Sequence, residues 1–145
     1  MKPLNMIVQE KDDFCLCSVL QSILGRYNIS TTQQEIADNL TPVEKVFNVN
    51  DERIRDFLRR KGFEYQFYWH DETPFNERDE VLDEMRRSNG IIGVKSHVYL
   101  LLDFIGYRVE IVDPKDGKVI FKDLYNLFGE MRATNGFFGV IKSVS

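Results

Sequence analysis

A chain of 145 residues, 43% hydrophobic and 29% charged, has the size and composition of one globular domain able to bury a core. Its net charge of −4, with acids and bases interleaved, argues against a nucleic-acid module, which would be basic on balance. The densest basic stretch, Arg53 to Lys61, reads as a solvated helix face, no apolar run is long enough to cross a membrane, and no basic-then-apolar leader opens the chain.

Lys2–Val8 reads as an extended lead-in, followed by the charged turn Glu10 to Asp13. From Cys15 the apolar positions Val19, Leu20, Ile23 and Leu24 recur at helical spacing, which predicts a helix over about Cys15–Tyr27. Thr32 and Glu35 are spaced as a capping box for a second helix that ends at Leu40 before Pro42. Asn50 is placed to cap a third, with Ile54, Phe57 and Leu58 facing inward and Gly62 ending it. Phe63–Trp69 alternates and is rich in aromatics, as strands are. A fourth helix is expected around Asp79–Ser88, stopped by Asn89-Gly90.

Four short β-rich runs follow: Ile91–Lys95, Val98–Phe104, Tyr107–Val112 and Lys118–Phe121. The turns between them are short enough for hairpins, which favours antiparallel pairing. Leu124–Met131 reads as a short helix and Phe137–Val144 as a last strand. The whole is expected to be a single α+β domain, residues 1–145, with N-terminal helices packed on a C-terminal antiparallel sheet.

Four residues carry the chemistry. Cys15 opens a helix, where unpaired backbone N–H groups and the helix dipole favour the thiolate, the nucleophilic form of a cysteine. Cys17 points to another side of the same helix and reads as packing. The two thiols are too close in sequence for an unstrained disulfide, and a free pair suits the reducing cytoplasm. Of the two histidines, His70 sits in a polar turn with Asp71 and Glu72 and is expected to be solvated. His97 begins the apolar strand that follows Ser96 and is the candidate base. Asp113 ends the next strand; if the two strands form a hairpin, its carboxylate lies near His97 and orients the imidazole. Gln9, six residues before Cys15, has a side-chain N–H₂ suited to a developing oxyanion. A Cys-x-Cys with one histidine lacks the spacing and number of ligands for zinc, so neither a metal nor a cofactor is expected.

In this order, Gln9, Cys15, His97 and Asp113-Pro114, the chain resembles the papain-like cysteine peptidases of the bacteriocin-processing family, which cut leaders after a double glycine. The helix after Cys15, the polar-capped second helix from Ser30 to Leu40, and the tail Lys118–Met131 extend the resemblance over nearly the whole chain. It implies Cys15 as nucleophile, His97 as base, Asp113 as orienting acid and Gln9 as oxyanion donor. The family usually has Asp before and Gly after its cysteine, where this chain has Phe14 and Leu16, and the bulk of Leu16 is expected to reshape the cleft. The family's histidine often follows Gly, where this chain has Ser96. The substrate implied is a peptide or another acyl compound. The resemblance also brings in a membrane transporter as partner, although no membrane segment follows, so the chain reads as a stand-alone relative or an excised domain. The expected activity is that of a cysteine peptidase or amidase working through an acyl-enzyme. An acyltransferase of the same fold, or a non-catalytic relative that binds peptide, would carry the same pattern.

Overall fold

The computed structural model describes residues 1–40, 51–94 and 97–144. The expected helix cap at Asn50, the stop at Pro42 and the position of Ser96 lie outside the described residues. Three helices come first, α1 (Cys15–Gly25), α2 (Gln33–Leu40) and α3 (Asp51–Arg60), followed by β1 (Phe63–Trp69) and a 3₁₀ turn at His70–Glu72. Then come α4 (Phe75–Arg87), β2 (Asn89–Val94), β3 (His97–Ile105), β4 (Arg108–Val112), β5 (Val119–Asp123), α5 (Leu124–Thr134) and β6 (Phe137–Ser143).

The capping box at α2 forms: Glu35 N–H donates to Thr32 Oγ1 at 3.0 Å, and Thr32 N–H reaches back to the Glu35 carboxylate at 3.4 Å. Gly62, at φ 91°, takes the left-handed conformation after α3 that a residue with a Cβ rarely adopts. α4 starts four residues earlier than its apolar spacing indicates, because Pro74 supplies a fixed φ at the N-cap and Phe75 begins the helix while staying 58% exposed. Asn89 and Gly90 do not form a turn; they are the first two residues of β2. Gly90 is required there because a Cβ would strike the Met85 side chain.

The six strands form one antiparallel sheet in the order β1-β6-β2-β3-β4-β5. Alternation along the strands divides the core in two. Ile91, Val98, Leu100, Val112 and Ile141 face one side and pack with the apolar faces of α1, α2 and α3. Ile92, Leu101, Val109, Ile111 and Val140 face the other and pack with α4 and α5. A bulge between Leu101 and Asp103 shifts the β3–β4 register. The architecture is α+β, as its sequence indicates, and both faces of the sheet carry helices. No helix among the described residues is long and apolar enough to cross a membrane.

Candidate active site

α1 begins at Cys15 with no side chain capping its N-terminus and no acid in its first turn. The first-turn N–H groups and the positive end of the dipole therefore lie at the Cys15 end of the helix with no acid inside the first turn. Cys15 is half-buried and Cys17 is fully buried. Burial, then the nearby Cys15 and Asp13, push the Cys17 thiol up to about 12, so it stays protonated and unreactive at neutral pH.

His97 is the first residue of β3, and Asp113 follows β4 directly. Since Leu100 pairs with Val112, Asp113 lies beside Tyr99, and His97 is its diagonal neighbour on the same face, within reach of a ring and a carboxylate. His97 Nε2 is 2.7 Å from Asp113 Oδ1, with the two side chains 23% and 18% exposed. The carboxylate is fixed from below: Lys115 N–H donates to the same oxygen at 2.9 Å, and Gly117 N–H donates to the Asp113 carbonyl at 2.8 Å. Gly117 closes this turn at φ 74°. Tyr99 holds the imidazole from the side, its ring nearly perpendicular at 4.9 Å between centroids.

The Cys15 side chain is the main influence raising the His97 pKa above its ordinary value, and the Asp113 bond and charge add to it while burial opposes both. His97 is therefore held by a carboxylate on a tight turn and has its pKa raised by the thiol that opens α1.

Gln9 reaches the same place by its backbone, donating its N–H to Pro114 O at 2.8 Å. Its side-chain Nε2 donates to the carbonyls of Lys11 (2.9 Å) and Asp12 (3.1 Å), which uses both amide hydrogens, and its Oε1 is buried with no partner among the described residues. Exchanging the amide's N and O would set an oxygen against two carbonyls, so this orientation is the favourable one. Gln9 thus fixes the turn leading into α1.

Three polar residues that sequence reasoning passed over hold this segment. Gln33, fully buried on α2, accepts from Glu10 N–H at 2.9 Å and donates to Val8 O at 2.9 Å. Ser18 donates to Ile7 O at 2.7 Å, and Ser22 accepts from Ile7 N–H at 2.8 Å. The available signal was polar side chains on otherwise apolar helix faces, with Ser18 and Ser22 four apart and so stacked on one side of α1.

Two expectations change. Leu16 is 1% exposed and belongs to the core under α1, so it does not shape a cleft beside the thiol. His70 is not solvated: it is fully buried against Phe128 and Phe138, with Nδ1 at 3.0 Å from Asp71 and Nε2 unpartnered among the described residues. The apolar residues of the α4–α5 side enclose its ring although its sequence neighbours are polar. No group of three or more metal-binding side chains occurs among the described residues.

The peptidase domain of Streptococcus ComA, a bi-functional ABC transporter involved in quorum sensing, is similar to this chain with a TM-score of 0.71 over 97% of this chain and 99% of that one, at 16% identity. A double glycine motif protease from an AMS/PCAT transporter, solved with its leader peptide, gives the same TM-score and identity over 98% and 93%. The fold is that of papain-like cysteine peptidases. UfSP from C. elegans shares it with a TM-score of 0.63 and 15% identity, over 97% of this chain and 32% of that one. No family model and no curated protein sequence matches the chain.

Proposed function

We propose that this papain-fold domain is a cysteine peptidase acting on peptide substrates through an acyl-enzyme. The observation that carries the reading is His97, its Nε2 2.7 Å from Asp113 Oδ1 and its pKa raised chiefly by the Cys15 side chain. A raised histidine pKa favours the imidazolium and, with it, the thiolate it faces. The Cys15 thiolate attacks the scissile carbonyl, and the carbonyl π pair moves to the oxygen. The first-turn N–H groups of α1 face that oxyanion, and Gln9 Nε2 can join them only by giving up a bond to the turn, the longer one to Asp12 being the weaker. As the C–N bond breaks, the imidazolium gives its proton to the leaving amine, leaving a thioester on Cys15. The neutral imidazole then takes a proton from water, whose oxygen attacks the thioester and frees acid and thiol. Asp113 holds the ring orientation throughout.

The similar domains are double-glycine and transporter-linked peptidases, which supports a peptide as substrate, and the reduced thiol that the chemistry needs suits the cytoplasm. The test is incubation with peptides containing a Gly-Gly site and with a mixed peptide library, read by mass spectrometry, for wild type and Cys15→Ala. Cleavage by wild type alone, through a thioester trapped on the Cys15 peptide, is the expected result. Equal cleavage by the variant would overturn the proposal. Added amine as a competing acceptor distinguishes hydrolysis from acyl transfer.

A further inference from the structure

At the opposite end of α1 from the thiol lies a cavity of about 440 Å³ lined by Lys2, Arg26, Tyr27, Ile29, Lys61 and Phe63 among others. α1 has 11 residues. At 1.5 Å of rise per residue it separates the two places by roughly 16 Å. The described residues lining the cavity include three cations and no Asp or Glu, in a chain whose net charge is −4. Arg26 is half-buried, and none of the three cations is in an ion pair among the described residues. Arg26 is held in place by neutral groups alone: NH1 donates to Asn89 Oδ1 at 2.7 Å and Nε to Lys2 O at 3.1 Å. Asn89 is itself buried and fixed by Nδ2 bonds to Tyr27 Oη (2.8 Å) and Ile141 O (3.1 Å). A partly desolvated guanidinium normally has a carboxylate or phosphate beside it, and burial here lowers the Arg26 pKa, opposed only by Tyr27. The Tyr27 hydroxyl adds a donor whose present acceptor is a thioether, Met1 Sδ, a weak one. Beside these donors, Tyr27 packs edge-on against Phe63 at 4.9 Å, giving the cavity an apolar wall.

We infer that this cavity is a binding site for a small organic oxyanion, a carboxylate or phosphate on an apolar body, seated on Arg26 and Lys61 with its body against Tyr27 and Phe63. Arg26 is rigidly posed by Asn89, so its remaining N–H groups offer the planar fork that such anions accept. The volume falls within the range of small-molecule sites, about 300–1,000 Å³.

The test is an amide NMR titration of the full chain with phenyl phosphate and with inorganic phosphate, each against sodium chloride of equal ionic strength. Saturable shifts centred on residues 26–29 and 61–63 are expected, with phenyl phosphate binding several-fold tighter than phosphate. Arg26→Gln should weaken binding by about 10–100-fold, the range for a hydrogen bond to a charged group. Lys61→Ala, at an exposed position, should weaken it about 2–5-fold without disturbing the fold. Shifts that match sodium chloride, or affinity unchanged in Lys61→Ala and in a folded Arg26→Gln, would overturn the inference. Equal affinity for the two phosphates would overturn the apolar wall's part in it.

Discussion

The molecule contains two histidine–aspartate pairs, and they behave as opposites. His97 and Asp113 meet at 2.7 Å at the ends of two neighbouring strands, partly exposed to solvent, with the Cys15 thiol raising the histidine's pKa. His70 and Asp71 meet at 3.0 Å within one turn, with the ring fully buried against Phe128 and Phe138 and its second nitrogen unpartnered among the described residues. The His97 pKa is raised, chiefly by Cys15. That of His70 is lowered, chiefly by burial, with Arg78 and Arg132 adding to the burial effect and Asp71 opposing it. A carboxylate beside an imidazole does not by itself make a site. What the ring's other nitrogen faces, and how much water reaches it, decides whether the pair holds a proton to give away or keeps one out.

Substitutions at the two pairs should separate them. Cys15→Ala should abolish both peptide turnover and iodoacetamide labelling above the level of Cys17, whose buried thiol is the internal control; persistent turnover would remove the site altogether. His97→Ala should slow turnover and Cys15 labelling at pH 7 by about 10²–10⁴-fold, the usual weight of a general acid–base. His70→Gln should leave the labelling rate within about twofold while lowering the melting temperature, since a buried polar replacement costs roughly 1–3 kcal/mol. Asp113→Asn should fall between these, at about 10²-fold in turnover with thermal stability little changed, because the amide cannot stabilise the imidazolium it faces.

The pH dependence of stability gives the smallest effect and the sharpest contrast, because its sign differs between the pairs. Raising the His97 pKa on folding stabilises the native state below the unfolded pKa of about 6.5, and this contribution disappears as pH rises through the folded value. Lowering the His70 pKa does the reverse: its contribution is present above about 6.5 and is lost as pH falls below that value. Urea unfolding between pH 5 and 8 should therefore show a steeper loss toward acid in His97→Ala and a shallower one in His70→Gln. The same slope in both would mean that the two rings titrate alike.

Local patterns were the legible part of the sequence. The apolar stripe after Cys15, the Thr32/Glu35 box and the inward face of Ile54, Phe57 and Leu58 all depend on neighbours within a turn or two, and all appear in the structure. The hairpin that sets His97 near Asp113 is of the same kind, since its pairing follows from short turns and alternation. What depends on distant contacts was not legible. His70 looked solvated because its sequence neighbours are polar, whereas residues from α5 and β6 close over it. Gln9 had the spacing of an oxyanion donor, yet its amide is drawn into the Lys11–Asp12 turn, and the clamp that holds this segment comes from Gln33 on another helix. The helices on both sheet faces follow from α4 and α5 crossing to the side that the first three leave open.

The place of β6 in the sheet has a consequence for how the protein comes to exist. β6 lies between β1 and β2, so Phe63 and Tyr65 meet their strand partners, Ser143 and Ile141, only when that late segment is available. On a ribosome, the first three helices and β1 emerge with a strand edge open and half a core unclosed, and these long-range pairings make for slow folding. β2, which leads into His97, likewise lacks one flank until Gly139 and Phe138 dock beside Ile91 and Ile92. The sheet that carries His97 is therefore complete only once synthesis has passed β6.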